Sequence, residues 1–469
     1  MIWLDSTKFS LSPSPKRSLL AINCILFANS SKADDVWPSF HDGGNTSIEA
    51  QSLPEQWSPE AGIAWTSELP GYGQSAPVVW KDHVYVTAVE GEQKEHCLVV
   101  AYSAASGQEV WRHSIDSSVP AKTSAMVSRA APTPIADQFG VYVLFESGDL
   151  LALNHSGQQR WKLALFDKGE RAFNGNHGYG ASPAQTDNEV IVLVDQKGPS
   201  WLAAISKSSG ETVWKTARTE RSSWASPQVA RFGEQTQVVV SSGGTVDGYD
   251  AVSGKLLWTK EGLSGNTIPT VTVQDDLVFV GASEPRGGGS AAQAAASNCC
   301  LKITPGSDSG YMFQWAAEKA VCSYVSPLVH QGFAYYVNSQ GVVRCIEVGT
   351  GKQHYEVRME EACWAQPIAC GDRLYFFGKS GTTKIVRAGP AYELISEHRL
   401  WKEDSPPLPA QSAKYEVADA PAANGGAGSE SLDPVVYGVS AVDGAFFVRL
   451  GSHLYRIGSD AAPTTALAR

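Results

Sequence analysis

The sequence predicts an all-β fold: a ring of eight four-stranded antiparallel sheets, closed by a strand taken from near the beginning of the chain. Three observations lead to this prediction. A short phrase ending in tryptophan recurs at intervals of about 40 to 60 residues. The apolar segments are short, rich in Val, Ile and Tyr, and separated by turns that use 44 glycines and 25 prolines. The last repeat lacks one strand, which an early segment supplies.

The recurring phrase is Ser-Gly-x-x-x-Trp, and it weakens to SGYMFQW and TGKQHY in later repeats. A unit of this size cannot bury its own apolar face, so it must stack against neighbouring units. We expect the tryptophan to fill the wedge between adjacent sheets and the glycine to permit the turn before the outer strand. The tryptophans assigned this structural role are Trp65, Trp111, Trp161, Trp214, Trp258, Trp315 and Trp401.

Seven repeats are complete, each with an x-Pro step, three strands and an outer strand carrying the phrase or a variant of it. The eighth, residues 438–458, supplies three strands and stops, and Ala61-Gly62-Ile63-Ala64-Trp65 supplies the fourth. Sharing one blade between the two ends leaves no open edge in the ring. The prediction is an eight-bladed β-propeller closed by this clasp, and a seven-bladed ring is the alternative.

The domain boundaries follow from this register. Residues 1–33 are predicted to be a signal peptide, because Lys16-Arg17 precede an apolar run that ends at Ser31-Lys32-Ala33. The run is too short to span a bilayer, and a lipid anchor at Cys24 lacks the small residues that would precede it. The alternative is an N-terminal tail or a mistaken start. The further divisions are an N-terminal extension that packs on the ring (34–60), the propeller (61–458) with loop insertions at 284–298 and 405–434, and a tail (459–469).

Inner strands border the central channel, so residues just ahead of each x-Pro step are expected at one mouth. Three of them are aromatic: Trp224, Tyr324 and Trp364. The predicted binding residues at this mouth are Arg129, Asn176, His177, Trp224, Asn266, Tyr324 and Trp364. They would form a funnel suited to stacking on a ligand. The alternative is that the rings only plug the channel.

The repeats, with their Gly-x-x-x-Trp endings, resemble the pyrroloquinoline quinone (PQQ) repeat family, and the resemblance covers residues 61–458. The chain looks most like exported PQQ-like propellers related to the lipoprotein of outer-membrane β-barrel assembly. Quinoprotein dehydrogenases of this family hold PQQ between a tryptophan and a disulfide of adjacent cysteines, with calcium and an aspartate. Cys299-Cys300 is the adjacent pair here, but strand alternation predicts two separate core thiols. Asp247 and Asp250 are predicted to be turn and surface residues.

A net charge of −11 without a basic cluster argues against a nucleic-acid partner. No Ser/His/Asp set, zinc spacing or phosphate loop is found, and no cofactor or metal is predicted, with PQQ and calcium left as alternatives. The predicted function is therefore a non-enzymatic binding or scaffolding propeller, exported to the periplasm or cell envelope, with a protein, peptide or glycan partner. A PQQ-dependent oxidoreductase and a small-molecule or glycan sensor are the alternatives.

Overall fold

Eight sheets, each with four antiparallel strands from the ring, form an eight-bladed β-propeller in the computed structural model. The structure describes residues 35–48, 53–120, 128–166, 177–284, 290–317, 319–408 and 434–458. The compact unit that contains them spans Asp34–Arg469. The predicted signal peptide and C-terminal tail lie outside the described residues.

The strands follow the blades in chain order. Three strands precede blade 1: β1 (Val36–Trp37), β2 (Ser47–Ile48) and β3 (Ile63–Glu68). Blade 1 contains β4 (Val78–Trp80), β5 (His83–Glu90), β6 (His96–Ser103) and β7 (Glu109–Asp116). Blade 2 contains β8 (Ile135–Asp137), β9 (Gly140–Leu144), β10 (Asp149–Leu153) and β11 (Gln159–Ala164). Blade 3 contains β12 (Ala184–Gln185), β13 (Glu189–Val194), β14 (Ser200–Ser206) and β15 (Thr212–Arg218). Blade 4 contains β16 (Gln228–Phe232), β17 (Gln235–Ser242), β18 (Thr245–Asp250) and β19 (Leu256–Lys260).

The second half repeats this plan. Blade 5 contains β20 (Thr272–Gln274), β21 (Leu277–Val280), β22 (Cys299–Ile303) and β23 (Tyr311–Ala316). Blade 6 contains β24 (Leu328–His330), β25 (Phe333–Val337), β26 (Val342–Glu347) and β27 (Gln353–Arg358). Blade 7 contains β28 (Ile368–Cys370), β29 (Arg373–Phe377), β30 (Thr382–Arg387) and β31 (Leu394–Arg399). Blade 8 contains β32 (Val436–Val442), β33 (Ala445–Leu450) and β34 (His453–Ile457), with β3 as its outer strand.

The predicted clasp is confirmed, because β3 pairs antiparallel with β34 and places Trp65 opposite Arg456. The backbone N–H of Gly458 donates to the carbonyl of Gly62 over 2.9 Å, so the two ends meet where other blades have a continuous turn. The ring therefore closes with eight blades and not seven. A short helix, α1 (Ala291–Ala296), lies in the first insertion, where a loop was predicted, and the Ser290 side chain caps it by accepting from the Gln293 N–H.

The outer-strand tryptophans join successive blades. The indole N–H of Trp111 donates to the carbonyl of His155 in blade 2 over 2.8 Å, and that of Trp315 donates to Val348 in blade 6 over 2.7 Å. The phrase glycine of the next blade packs on each ring: a Cβ on Gly157 would lie 2.7 Å from Trp111. Corresponding indole bonds to the next blade are made by Trp65, Trp161 and Trp214. Glycine is thus required both for its positive φ and for this contact.

Trp401 does not occupy the predicted repeat position. It follows β31, and the pairing of Ile385 with Ser396 shows that Ser396 holds the position that Tyr355 holds in blade 6. Trp401 packs instead beside Gly381, in the turn between β29 and β30. Blade 7 lacks the Ser-Gly phrase, so nothing in its sequence fixed the register of the outer strand.

Residues 35–48, which we call the channel segment, lie inside the ring. β1 pairs antiparallel with the inner strand β4, and β2 pairs parallel with the inner strand β28. The segment therefore rises beside blade 1, turns at Phe40–Gly43 and descends beside blade 7. Its hydrogen bonds reach six blades through Lys81, Ala136, Gln228, Val273, Val329 and Ala369. Residues 35–48 of the predicted N-terminal extension thus lie in the channel, whereas Trp57 packs on the ring against His398 of β31.

No helix among the described residues is long and apolar enough to cross a membrane.

Candidate functional site

The connections between successive blades lie on one face of the ring, which we call the loop face. The turns within each blade between its first and second strands, and between its third and fourth, lie on the opposite face, the turn face. The channel segment enters from the turn face, because Asp35 accepts a hydrogen bond from Lys81 in the turn after β4. Most of the predicted binding residues that the structure describes lie around the channel mouth at the loop face.

Four aromatic rings, which we call the aromatic arc, follow this mouth across neighbouring blades. Tyr324 and Trp364 have ring centroids 5.4 Å apart, and Trp364 lies 5.8 Å from Tyr437. The hydroxyl groups of Tyr437 and Tyr72 are 2.7 Å apart and share a hydrogen bond. Tyr324, Trp364 and Tyr437 are half-buried, so part of each ring faces the mouth. The structure thus brings together Tyr324 and Trp364, which the sequence predicted at this mouth. Tyr72 and Tyr437 belong to the same group of rings and were not predicted.

Arg129 lies at the Tyr72 end of the aromatic arc and supplies a positive charge there. Its guanidinium carbon lies 3.4 Å from the centroid of the Tyr72 ring, a cation–π contact. Among the described residues no carboxylate forms an ion pair with Arg129, and its Nε is buried without a hydrogen-bond acceptor. The backbone N–H of Arg129 donates to the Gln74 side chain over 2.9 Å. Arg129 therefore brings a positive charge to the rim.

A buried carboxylate holds the backbone beside Arg129. Glu146 accepts hydrogen bonds from the Ala130 N–H over 2.6 Å and from the Ser128 hydroxyl over 3.1 Å. Burial raises the pKa of Glu146 above its ordinary value. Lys94 donates to the Ser128 carbonyl over 3.1 Å. These contacts fix the loop that carries Arg129 without exposing a second charge at the mouth.

The other predicted residues lie on the opposite side of the mouth or away from it. The Trp224 indole donates to the Gly178 carbonyl over 2.8 Å, and its ring lies 5.7 Å from exposed His177. Asn266 is fully buried and holds a turn of blade 4, donating to the carbonyl of Thr245 over 2.8 Å and accepting from the Gly244 N–H. Asn176 lies outside the described residues.

The channel segment forms the floor below the arc. Trp37, Phe40, His41 and Thr46 line a small cavity from below, while three rings of the arc, Tyr324, Trp364 and Tyr437, line it from the side. Phe40 and His41 stack at 3.7 Å, and His41 is buried with a left-handed φ of 52°. Burial lowers the pKa of His41 to about 3, so its imidazole is neutral near pH 7. Sequence patterns did not reveal this floor, because its two strands have two residues each.

A second charged cluster lies in the wall between blades 3 and 4. Arg218 donates to both carboxylate oxygens of Asp195, at 2.9 and 3.1 Å, and to Asp247 over 3.1 Å. Asp247 is buried, which corrects its prediction as a surface residue; its partner Arg218 is distant in sequence. Removing one member would leave a buried charge unpaired, so the cluster is structural.

The PQQ site implied by the family resemblance does not fit these residues. Cys299 and Cys300 are free thiols with no exposed surface, and they lie on β22, the third strand of its blade. They point into two different core clusters, as alternation predicts, and neither borders the inner strand. No three His, Cys, Asp or Glu side chains within the described ranges converge as metal ligands would.

The eight blades and their indole-to-turn contacts define a PQQ-like β-propeller. A family profile matches residues 56–198 and 198–404 of the chain. The chain therefore belongs to the family described as outer membrane protein assembly factor BamB. No curated protein matches it.

The solved structures that share the fold include the following three. BamB from Moraxella catarrhalis matches with a TM-score of 0.54 at 14% identity, covering 85% of this chain and 98% of that one. Quinohemoprotein alcohol dehydrogenase from Comamonas testosteroni matches with a TM-score of 0.57 at 12% identity, covering 92% and 82%. The designed protein Ika8 matches with a TM-score of 0.51 at 12% identity, covering 83% and 100%. At these identities the likeness is one of fold.

Proposed function

We propose that this chain is an exported binding propeller of the cell envelope, which presents its loop face and aromatic mouth to a protein, peptide or glycan partner. The observation that carries the proposal is the aromatic arc with half-exposed rings over a channel occupied by the chain's own segment. Such a surface offers stacking area at its rim and no open passage behind it. Membership of a family described as an outer membrane assembly factor supports the envelope location and a protein partner.

The test compares partner capture by three purified proteins from a native envelope extract. The mouth variant carries Trp224→Ala and Trp364→Ala. The control carries Trp80→Ala, which removes a half-buried tryptophan from the end of β4, near the turn face. The proposal predicts that one partner is captured by the native protein and the control but not by the mouth variant, with similar melting temperatures. Equal capture by all three would remove the mouth from the partner site.

The quinoprotein alternative has a direct test of its own. Purified protein is titrated with PQQ and calcium while its absorbance is recorded. The proposal predicts no stoichiometric uptake, because the cysteine pair is enclosed in the core and the channel segment occupies the space beneath the mouth. Calcium-dependent uptake followed by dye reduction with alcohols would replace the binding proposal with an oxidoreductase.

A further inference from the structure

The cavity between the aromatic arc and the channel segment is lined by rings and carries no formal charge. Trp37 and Phe40 line it from below, and Tyr324, Trp364 and Tyr437 from the side. None of the described residues that line it is Asp, Glu, Lys or Arg. His41 completes the floor as a neutral imidazole, since burial lowers its pKa to about 3. Five aromatic rings therefore line the cavity, and no charged side chain lines it among the described residues.

The size of the cavity restricts what can enter it. The centre of a water molecule can occupy about 30 Å³ of this space. With a water radius of about 1.4 Å added on every side, a rounded cavity of this size admits a group about 3 Å in radius. A planar fused-ring molecule exceeds that limit, whereas a compact methylated ammonium group is close to it.

Chemistry and size together point to one class of ligand. A ring face is the negative end of an aromatic quadrupole, so a cavity lined by several rings and by no charged side chain attracts a cation whose surface is made of methyl groups. A hydrated ammonium ion or a metal ion would lose its water here without gaining a carboxylate ligand from the described lining residues. We infer that the cavity binds a quaternary ammonium group, of the size of trimethylammonium, inserted from the loop face. The inference rests on the proposed use of the mouth as a binding site.

Arg129 is expected to favour ammonium ligands that also carry a carboxylate. It lies over Tyr72, whose hydroxyl is hydrogen-bonded to that of Tyr437 in the cavity wall. A ligand with a carboxylate near its ammonium group would place that carboxylate toward the guanidinium, and a ligand with only a positive charge would not. Glycine betaine is therefore expected to bind more tightly than choline.

The experiment measures binding of small probes to the purified full chain by calorimetry and by the proton NMR signal of the N-methyl groups. Choline and 3,3-dimethyl-1-butanol form the matched pair, because they share one shape and differ in the charge of the central atom. We expect saturable binding of choline, an upfield shift of its methyl signal from the ring currents, and at least tenfold weaker binding of the neutral alcohol. Equal affinity of the two probes would overturn the inference.

Substitutions at Trp364 and Arg129 test which residues of the mouth contact the bound probe. Trp364→Ala is expected to weaken choline binding roughly tenfold, and Trp364→Phe by less, because phenylalanine keeps a ring with a weaker quadrupole. Arg129→Gln should abolish the preference for betaine over choline while leaving choline binding intact or improved. If Trp364→Ala does not fold, Trp364→Phe against Trp80→Phe carries the comparison. Unchanged choline affinity in the Trp364 variants would overturn the inference.

This outcome is separable from that of the proposed function. Probe binding without partner capture would make the mouth a small-molecule site and reject the partner proposal. Partner capture without probe binding would reject the ammonium site and leave the partner proposal in place.

Discussion

Burial suppresses the ionisation of His41 in the folded chain. Its pKa falls from an ordinary value of 6.5 to about 3 because the ring is buried at the tip of the channel segment. The unfolded chain therefore binds a proton between these two pH values that the folded chain does not bind. The stability that comes from keeping His41 neutral is fully present above about pH 6.5, and it is lost as the pH falls toward 3.

We predict that the free energy of unfolding falls by about 3 kcal/mol between pH 7 and pH 4 because His41 is protonated in the unfolded chain and not in the folded chain. His41→Asn removes the ionisation and keeps a residue that tolerates the left-handed backbone. Urea unfolding of both proteins at the two pH values gives the difference, in which the contributions of other groups cancel. An equal loss of stability in the variant would contradict the prediction.

Trp258 and Trp364 differ in how deeply the fold buries them. Trp258 is buried and donates to the Gln237 side chain over 2.8 Å, whereas Trp364 is half-buried at the mouth. We predict that Trp258→Ala lowers the unfolding free energy by about 3 to 5 kcal/mol, and that Trp364→Ala lowers it by about 1 kcal/mol. Equilibrium unfolding of both variants tests this, and equal losses would show that Trp364 is a core residue.

At the scale of elements, the channel segment connects blades that otherwise contact only their neighbours. The N–H of Ala136 donates to the Pro38 carbonyl over 2.8 Å, and that of Ala369 to Thr46 over 3.0 Å, although these two amides belong to blades 2 and 7. Trp37 anchors the segment with 1% of its surface exposed. The segment is therefore an internal tie across the ring.

We predict that Trp37→Ala accelerates amide hydrogen exchange at Lys81, Ala136 and Ala369 together, because all three amides donate to the channel segment. Amides of β14 and β15, for which the structure shows no hydrogen bond to the segment, are the internal control. Mass spectrometry of exchanged peptides resolves the two sets. Uniform acceleration across the ring would show that the substitution lowers global stability without releasing the segment.

Sequence patterns were sufficient for the elements that repeat and insufficient for those that do not. The phrase fixed the blades and left β3 as the strand that blade 8 lacked. The x-Pro step located Tyr324 and Trp364, but blade 8 has no proline at that step, so Tyr437 was missed. The channel segment was missed because its contacts are spread over six blades and follow no period.

At the scale of the whole molecule, the outer strands are eight free sheet edges around the ring. Seven of them contain a charged residue, a common protection against pairing with another chain, and β23 (YMFQWA) contains none. Met312 and Phe313 on β23 are 57% and 51% exposed. Blade 5 is therefore the least protected edge of the propeller.

We predict concentration-dependent self-association through β23, which Phe313→Lys would reduce. The control is Val213→Lys on β15, where an equally exposed valine already has Lys215 nearby. Sedimentation velocity over a wide concentration range distinguishes the two variants. Association that is unchanged by Phe313→Lys would exclude this edge.

The position of the channel segment also restricts the order in which parts of the chain can fold. The Thr46 hydroxyl donates to the Pro367 carbonyl across 321 positions of the chain, and β3 must wait for β34 before it has a partner. Closing loops of this length is entropically slow. β2 and β3 therefore gain their strand partners only after blades 1 to 6 have been synthesised, although they precede all of these blades in the chain. Any factor that holds the nascent chain must protect β2 and β3 until blades 7 and 8 have been synthesised.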